Sequence, residues 1–266
     1  MAVSPDTASK RAGRNIMYQP RTYRHWVKGA NLVSYNIAVR ETDLHIRTRR
    51  NLRKKAYRAV LKYREAIESF IDRHPSFLNS LDCFPDTADA PQIVQDMARA
   101  ARAANTGPMA AVAGALAEAV GRELEPFSRD VIVENGGDIY LKTSSTRLVG
   151  VYAGSSPLTG RIAIEIRRED SPVGICTSSG TVGHSLSFGN SDATIVLARS
   201  AALADAVATA AGNLVAGEAD IEKAVEFSRG VDGVKGVVII KGKKMGVWGQ
   251  VKMVPVLRRR LERCIP

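Results

Sequence analysis

The sequence is poor in cysteine and contains no long hydrophobic run, and each absence excludes a class of protein. Its three cysteines, Cys83, Cys176 and Cys264, are an odd number and lie far apart. This argues against a disulfide framework and against a clustered zinc site. The longest apolar stretch, residues 109–120, is interrupted by Glu118 and is shorter than the roughly 18 residues needed to span a membrane. We therefore expect reduced thiols and no membrane crossing.

The amino terminus has no hydrophobic region typical of a signal peptide, so we expect a cytoplasmic protein. Residues 1–20 are polar and basic and include Pro5 and Pro20, a composition that predicts a loose basic arm. Residues 21–257 are expected to form one large domain, which a chain of 266 residues allows. Residues 258–266 form a basic tail.

Positive charge is concentrated at the amino-terminal end. The chain has a net charge of +11, yet residues 1–64 carry 16 Lys and Arg against three acidic residues, whereas the remainder carries 22 against 24. Such a segment is compatible with a nucleic-acid footprint, with a solvated helix surface, or with an anionic cofactor or partner. We favour the solvated surface over nucleic acid because no nucleic-acid-binding motif accompanies the charge.

Segments of strand type and of helix type occur in groups. Strands are predicted at 23–27, 32–39, 43–49, 131–133, 139–141, 148–152, 162–166, 174–177, 193–198, 237–240, 246–248 and 252–256. Helices are predicted at 51–73, 91–104, 108–124 and 220–227, with a further one beginning near Ser200. Runs of antiparallel-type strands between grouped helices indicate an α+β fold rather than a doubly wound sheet.

A glycine turn separates two of these strands. Asn135, Gly136, Gly137 and Asp138 follow one short strand and precede the next, which is a strong signal for a hairpin. Because glycine has no side chain, the same turn is a place where the backbone can touch a ligand. Both interpretations remain open at this point.

A second small-residue segment follows the strand that contains Cys176. It consists of Thr177, Ser178, Ser179, Gly180 and Thr181, and it offers hydroxyl groups and unhindered backbone N–H groups to a phosphate. A cluster of this composition is more commonly an ordinary turn. A phosphate-bearing ligand is therefore one of two readings.

The helix near Ser200 contains the strongest metal-binding signal. Asp205 and Thr209 stand four residues apart and share a helix face, and two hard oxygen donors at this spacing suit Mg²⁺. The helix is alanine-rich and apolar nearly all round, which predicts burial. A buried aspartate needs a cation or a full set of hydrogen bonds, so we give a metal site and a structural role equal weight.

In order, these motifs resemble those of the ApbE-like flavin proteins. The glycine turn ENGGDIYL (134–141), the segment TSSG beginning at Thr177, and Ala204-Asp205-Ala206 with Thr209 resemble that family's glycine turn, SG segment and ADA-x-x-T helix. Together with ETDLHIR (41–47) and GPMAAVAG (107–114), they are similar to a cytosolic, formerly uncharacterised branch found in many anaerobes. The resemblance covers most of residues 21–256.

The resemblance implies an ApbE-like (T-fold-like) α+β fold of antiparallel sheets with packed helices. It implies FAD or FMN as ligand, and Mg²⁺ held by Asp205, Thr209 and a backbone carbonyl between Ala111 and Ala113, which we assign to Val112. Members of the main family transfer FMN from FAD to a threonine of a redox protein or cleave FAD to FMN and AMP. The enzymatic expectation is therefore an FMN transferase or an FAD pyrophosphatase.

The sequence departs from the main family at its histidine. The family's His-Ile-Ile-Asp-Pro segment is replaced here by Gly183-His184-Ser185, with no following Asp-Pro. His184 is the candidate catalytic residue, as a general base or phosphate donor, and the alternative is a hydrogen-bonding structural histidine. The span from Ser179 to Asp205 is also short for the family.

Two non-enzymatic alternatives stay open. For this branch, the resemblance implies an accessory component of sulfur assimilation and homocysteine formation. Cys176 would be the candidate thiol for sulfur chemistry, although its apolar strand predicts a buried structural cysteine. The second alternative is nucleic-acid binding through residues 1–64. The partners expected are a flavin and an acceptor or sulfur-assimilation protein, and a homodimer is the base-rate expectation.

Overall fold

The computed structural model describes residues 31–85, 87–181 and 188–256. Several sequence-based expectations lie outside these ranges: His184, Cys264, the strand at 23–27, the arm at 1–20, residue 257 and the whole tail at 258–266. They stay predictions.

Eleven strands and six α-helices are formed by the described residues. The strands are β1 Val33–Val39, β2 Thr42–Thr48, β3 Val131–Asn135, β4 Asp138–Lys142, β5 Arg147–Gly150, β6 Ile162–Ile166, β7 Val173–Ser178, β8 Ala193–Ala198, β9 Val234–Lys241, β10 Lys244–Gly249 and β11 Lys252–Pro255. The helices are α1 Arg53–Arg73, α2 Ser76–Asn79, α3 Gln92–Ala104, α4 Val112–Leu124, α5 Ala201–Asn213 and α6 Ile221–Arg229.

The strands form two antiparallel sheets. The large sheet has the order β1-β2-β3-β4-β7-β8-β9-β10, and the small sheet has the order β11-β6-β5. Every pairing is antiparallel. The predicted fold class, α+β with antiparallel sheets and packed helices, is therefore confirmed.

Both faces of the large sheet are covered. Alternate residues of a strand point to opposite faces, and in β3 Val131 and Val133 join the core beneath the helices while Ile132 joins the core beneath the small sheet. All six residues of β8 are buried, as expected for a strand enclosed on both faces. The resulting order of layers is helices, large sheet, small sheet.

The long helix α1 lies on the helical side of the sheet. Its buried residues recur at helical spacing and include Ala56, Val60, Ile67 and Phe70, while the rest of its surface faces solvent or neighbouring charges. The helix ends before His74, whose ring lies 4.4 Å from that of Phe70. His74 is thus the helix-end residue that the sequence predicts.

Helix α5 is buried against the sheet. Ser200 caps its start by accepting a hydrogen bond from the Leu203 N–H at 3.1 Å, and the Glu118 carboxylate accepts from the Ala201 N–H at 2.6 Å. Nine of its thirteen residues are buried. The predicted burial of this alanine-rich helix is confirmed.

Some boundaries differ from the sequence-based expectation. The helix predicted at 108–124 begins with a 3₁₀ turn, Pro108–Ala111, before α4. The short helix α2 was not predicted. The strand predicted at 148–152 is formed by Arg147–Gly150. Within the described ranges, no helix combines the length and the apolar character that a bilayer crossing demands.

A buried aspartate connects the two sheets. Asp130 has a fully buried side chain and accepts hydrogen bonds from Arg49 at 2.5 Å, the Ser144 N–H at 2.8 Å and Thr143 at 2.9 Å. Arg147 of the small sheet lies 3.2 Å away. Burial opposes ionisation, yet these donors hold the pKa of Asp130 well below its usual range.

Candidate functional site

The glycine turn forms the connection between β3 and β4. Asn135 pairs with Asp138 across the hairpin, and both intervening glycines have positive φ, 69° for Gly136 and 114° for Gly137. Two successive positive values define the two-residue turn that glycine favours. The Gly137 N–H donates to Glu134 at 3.0 Å. The hairpin prediction is confirmed, and a Cβ at Gly136 would meet no atom within 4 Å.

Asp138 points towards the helical layer, next to Cys176. In the β4–β7 register Ile139 lies opposite Ile175, so the neighbouring positions Asp138 and Cys176 share a face. Asp138 is buried. Burial and the nearby charge of Asp205 raise its pKa well above the usual range.

Asp205 occupies the facing side of α5. Its Oδ2 accepts a hydrogen bond from the Gly114 N–H at 2.9 Å, at the start of α4. Burial raises the pKa of Asp205 to about 7, although the N–H groups of Gly114 and Ala113 act in the opposite direction. One part of this carboxylate therefore satisfies a helix terminus, as a structural role would require.

Asp138 of β4 and Asp205 of α5 thus lie within electrostatic range of each other. Each resists ionisation in its present surroundings, and a divalent cation would remove the repulsion and the unpaired charge together. The described residues contain no cluster of three or more His, Cys, Asp and Glu side chains able to hold a metal ion. A cation here would rely on the two aspartates, neutral oxygen donors and ligand oxygens, which is the coordination that Mg²⁺ favours.

The neutral donors expected near Asp205 are only partly available. Thr209 lies one turn beyond Asp205 and is partly exposed, so its hydroxyl shares the aspartate's face. The Ala113 carbonyl accepts a hydrogen bond from the Asn135 side chain at 3.1 Å, which ties the glycine turn to α4. Val112, the position assigned to a metal-binding carbonyl, is the first residue of α4.

The Ser/Thr/Gly segment lies near the opposite end of α5. A Cβ placed on Gly212 would lie 3.5 Å from the Ser178 hydroxyl. The Gly180 N–H donates to the Ser191 carbonyl at 2.9 Å and the Thr181 N–H to the Ser179 hydroxyl at 3.1 Å. The expectation of unhindered N–H groups is thus wrong for Gly180 and Thr181, because both donors are already used in closing the loop.

Close glycine contacts fix this loop against the helix end. A Cβ at Gly180 would lie 1.9 Å from the Gly189 carbonyl oxygen, and a Cβ at Gly189 would lie 1.9 Å from that of Gly212. Three glycines therefore let three backbone segments meet. Within this segment the side-chain hydroxyls of Ser179 and Thr181 lie 3.2 Å from each other.

One face of α5 brings the predicted residues together. Strand β7 runs along the helix, since Cys176 lies 3.2 Å from the Ala201 carbonyl oxygen and Ser178 reaches Gly212. Asp205 and Thr209 stand between these two points. The structure therefore places the turn at 135–138, α4 and β7 around one face of α5.

Sequence reasoning missed two features of this site. Asp138 was assigned to ligand contact through its turn, whereas the structure makes it the carboxylate partner of Asp205. The Cys176 thiol lies beside it, within hydrogen-bond reach of both the Ala201 carbonyl and Asp138, and burial raises its pKa. Cys176 is the buried cysteine that its apolar strand predicts. A signal for the partnership existed only in the alternation of β4, which sends Asp138 and Tyr140 to the same face.

The arrangement of layers and sheets is that of an ApbE-like α+β protein. Flavin transferase ApbE from Vibrio cholerae has the same fold, with a TM-score of 0.54 at 13% identity, covering 83% of this chain and 97% of that one. The ApbE protein from Thermotoga maritima gives a TM-score of 0.50 at 12% identity, covering 81% and 96%. At these identities the likeness concerns the fold.

Sequence comparison places the chain more narrowly. The chain belongs to the ApbE-like family whose model, described as "AbpE bacteria", matches residues 24–245. It is 39% identical over 229 residues to a "UPF0280 protein" from Methanococcus aeolicus, covering 83% of this chain and 91% of the relative. A "UPF0280 protein" from Methanopyrus kandleri is 38% identical over 234 residues, covering 85% and 95%. The resemblance drawn from the motifs is confirmed.

Proposed function

We propose that this protein binds FAD or a closely related flavin together with Mg²⁺ at the face of α5. The observation that carries the proposal is that Asp138, beside Cys176, lies within electrostatic range of Asp205, and that the pKa of each aspartate is raised. Family membership and the ApbE-like fold favour a flavin as the ligand. Cleavage of FAD or transfer of FMN is the activity proposed for the site.

The residues present fit a diphosphate and its cation. Asp138 and Asp205 supply two anionic oxygen groups, and Thr209 adds a hydroxyl on the same helix face. Bound Mg²⁺ would supply Lewis-acid polarisation and charge neutralisation at the phosphates. The hairpin at Gly136 and Gly137 leaves room for a ligand because no side chain projects from it.

The hydroxyl groups at the end of β7 would serve as further phosphate contacts. Ser178 lies near Gly212 at the end of the same helix, and Ser179 and Thr181 follow it in the chain and contact each other. Hydroxyls both donate and accept hydrogen bonds, so they can orient the ligand. His184 remains the proposed general base or phosphate donor, adjacent in sequence to this segment.

The test is chromatography of FAD incubated with the purified protein, with Mg²⁺ or with EDTA. We expect flavin to be retained in Mg²⁺ and released in EDTA. Asp205→Asn should weaken retention at least about tenfold, since it removes one of the two charges that hold the cation. The matched control is Asp89→Asn, an exposed aspartate in a loop, which should bind like the parent.

Two readouts separate binding from chemistry. Metal-dependent appearance of FMN and AMP would establish FAD cleavage, and His184→Ala should then reduce the rate without reducing retention. Retention of intact FAD would support a binding protein without this chemistry, which is the accessory role. Retention that is indifferent to Mg²⁺ and to Asp205→Asn would refute the proposed site.

A further inference from the structure

Helix α1 presents a solvent-exposed face with an unusual distribution of charge. Lys54 and Arg58 lie in its first half, Glu65 and Asp72 lie in its second half, and all four are exposed. At 100° per residue these positions fall on one side of the helix, opposite the buried stripe. Leu61 lies between the two halves and is 41% exposed.

The charges on this face are not used within the part of the chain that the structure describes. Neighbouring charged residues form ion pairs there, such as Lys62 with Glu123 and Arg64 with Glu68. Lys54, Arg58, Glu65 and Asp72 form none with the described residues. Among the described residues this face is therefore exposed, and its four charges have no ion-pair partner.

The order of the charges is unfavourable for an isolated helix. The positive end of the helix dipole lies at the amino terminus, where acidic residues stabilise and basic residues destabilise. Here the first turn contains no acidic residue, and Lys54 and Arg58 repel each other at a spacing of four. Packing within the described ranges thus gives no reason for this order, whereas contact with a second molecule does.

We propose that α1 pairs antiparallel with α1 of a second copy of this chain, about a two-fold axis near Leu61. Antiparallel alignment places the basic half of each helix against the acidic half of the other. With the axis just beyond Leu61, Arg58 lies beside Glu65 of the second copy, and Lys54 lies within one helical turn of Asp72. A surface that is complementary to itself in this way is the requirement for a two-fold dimer.

Apolar contact at the axis supports the same occupant. Leu61 meets its own symmetry mate, and Tyr57, one turn earlier and 47% exposed, lies at the margin of the contact. The helix is about 32 Å long, so a single helix pair buries less than the roughly 800 Å² per partner of a standard interface. The dimer is accordingly weak and sensitive to salt. It is independent of the proposed flavin site.

The test uses sedimentation equilibrium of the full chain at low and high salt. One variant, Lys54→Glu with Arg58→Glu, makes the face acidic throughout; the other, Glu65→Lys with Asp72→Lys, makes it basic throughout. We expect the parent to dimerise at low salt and each variant to be monomeric at the same concentration. All the substituted residues are exposed, and thermal unfolding of each variant checks that the fold is retained.

Two further experiments test whether the partner is a second copy of this chain: mixing the two variants, and combining all four substitutions in one chain. The two variants mixed in equal amounts should form a heterodimer, and the chain carrying all four substitutions should dimerise with itself. The control, Lys223→Glu with Lys243→Glu, alters two exposed lysines elsewhere and should dimerise like the parent. A parent that is monomeric at low salt, variants that still dimerise, or a mixture that stays monomeric would each overturn the proposal.

Discussion

Asp205 lies close enough to Asp138 for its charge to raise the pKa of Asp138, although the two residues come from a helix and from a hairpin far apart in the chain. Burial, and after it the charge of Asp205, raises the pKa of Asp138, and burial raises that of Asp205 to about 7. The pair costs the folded protein stability when both members are ionised. With a divalent cation bound between them, the two ionised carboxylates would instead stabilise the folded protein.

Neutralising either aspartate should lower the affinity for the cation without lowering the stability of the fold. Asp138→Asn and Asp205→Asn keep the shape of the side chain and remove one repelling charge. We expect stability without metal to be unchanged or slightly higher, and Mg²⁺ affinity to fall at least about tenfold. Calorimetric titration with Mg²⁺ and thermal unfolding in EDTA measure the two quantities. Equal Mg²⁺ binding by parent and variants would contradict the assignment.

The pair also predicts how stability depends on pH. A carboxyl with a raised pKa in the folded state contributes stability that is fully present below about pH 4, its unfolded pKa, and is lost as pH rises through about 7. In EDTA the Tm should therefore decline between pH 5 and 8, and Mg²⁺ should raise the Tm more at pH 8 than at pH 5. Each pKa unit corresponds to about 1.4 kcal/mol.

The same measurement on Asp205→Asn provides the control, since the variant should show a shallower decline. The variant retains Asp138, whose pKa is also raised, so a remaining slope is expected to include the contribution of that carboxyl. A parent whose Tm rises over this range in EDTA would contradict the prediction.

Gly114 should be intolerant of any side chain. A Cβ there would lie 2.2 Å from the Ala201 carbonyl oxygen and 2.8 Å from the Asp205 Cβ, so α4 and α5 would have to separate. We expect Gly114→Ala to destabilise the protein by about 1–3 kcal/mol or more and to weaken Mg²⁺ binding. Urea unfolding compares it with Gly217→Ala, where a Cβ meets no atom within 4 Å; equal stability of the two variants would argue against the contact.

Substitution of Asp130 should destabilise the protein more than substitution of most other polar residues. Asp130→Ala leaves the buried Arg147 guanidinium without its carboxylate partner, and removal of one member of a buried pair costs about 3–5 kcal/mol. Asp96→Ala, which breaks an exposed pair with Arg99, should cost less than about 1 kcal/mol. Denaturant unfolding measures both. A cost for Asp130→Ala as small as that for Asp96→Ala would exclude a central role for Asp130.

The loss of stability in acid should also depend on Asp130. Since the fold holds the pKa of Asp130 below its usual range, its contribution is present above about pH 4 and is lost as pH falls towards the folded pKa. Asp130→Asn should therefore flatten the loss of stability on the acid side. Identical acid unfolding profiles for parent and variant would contradict this.

Local signals sufficed for most of the fold. The strands at 32–39 and 43–49, the glycine turn at 136–137 and the start of a helix near Ser200 were predicted from short windows of sequence, and each appears at its predicted place. The helix α2 escaped prediction because four residues are too few to show a period. The 3₁₀ turn before α4 was not predicted because the sequence pattern of a single helical turn does not distinguish a 3₁₀-helix from an α-helix.

The site was predicted less completely because its contacts are long-range. Asp205 was recognisable from its apolar helix, which makes a buried charge conspicuous. Its partnership with Asp138 depends on the register of β4 with β7 and on the packing of α5, neither of which is encoded near either residue. For the same reason the hydrogen bonds that occupy the N–H groups of Gly180 and Thr181 were not foreseen.

Ala201 is held from three directions. Because Gly114 has no side chain, the Ala201 carbonyl can pack against it. Gly174 likewise leaves room for the Ala201 Cα, since a Cβ on Gly174 would lie 2.3 Å from that atom. The Glu118 carboxylate accepts a hydrogen bond from the Ala201 N–H. The first residue of α5 is thereby fixed to β7 and to α4, and the angle at which the helix leaves the sheet follows from that fixed point. A ligand arriving at this face would meet carboxylates that are already in position, and its affinity would not be reduced by the entropy of ordering them.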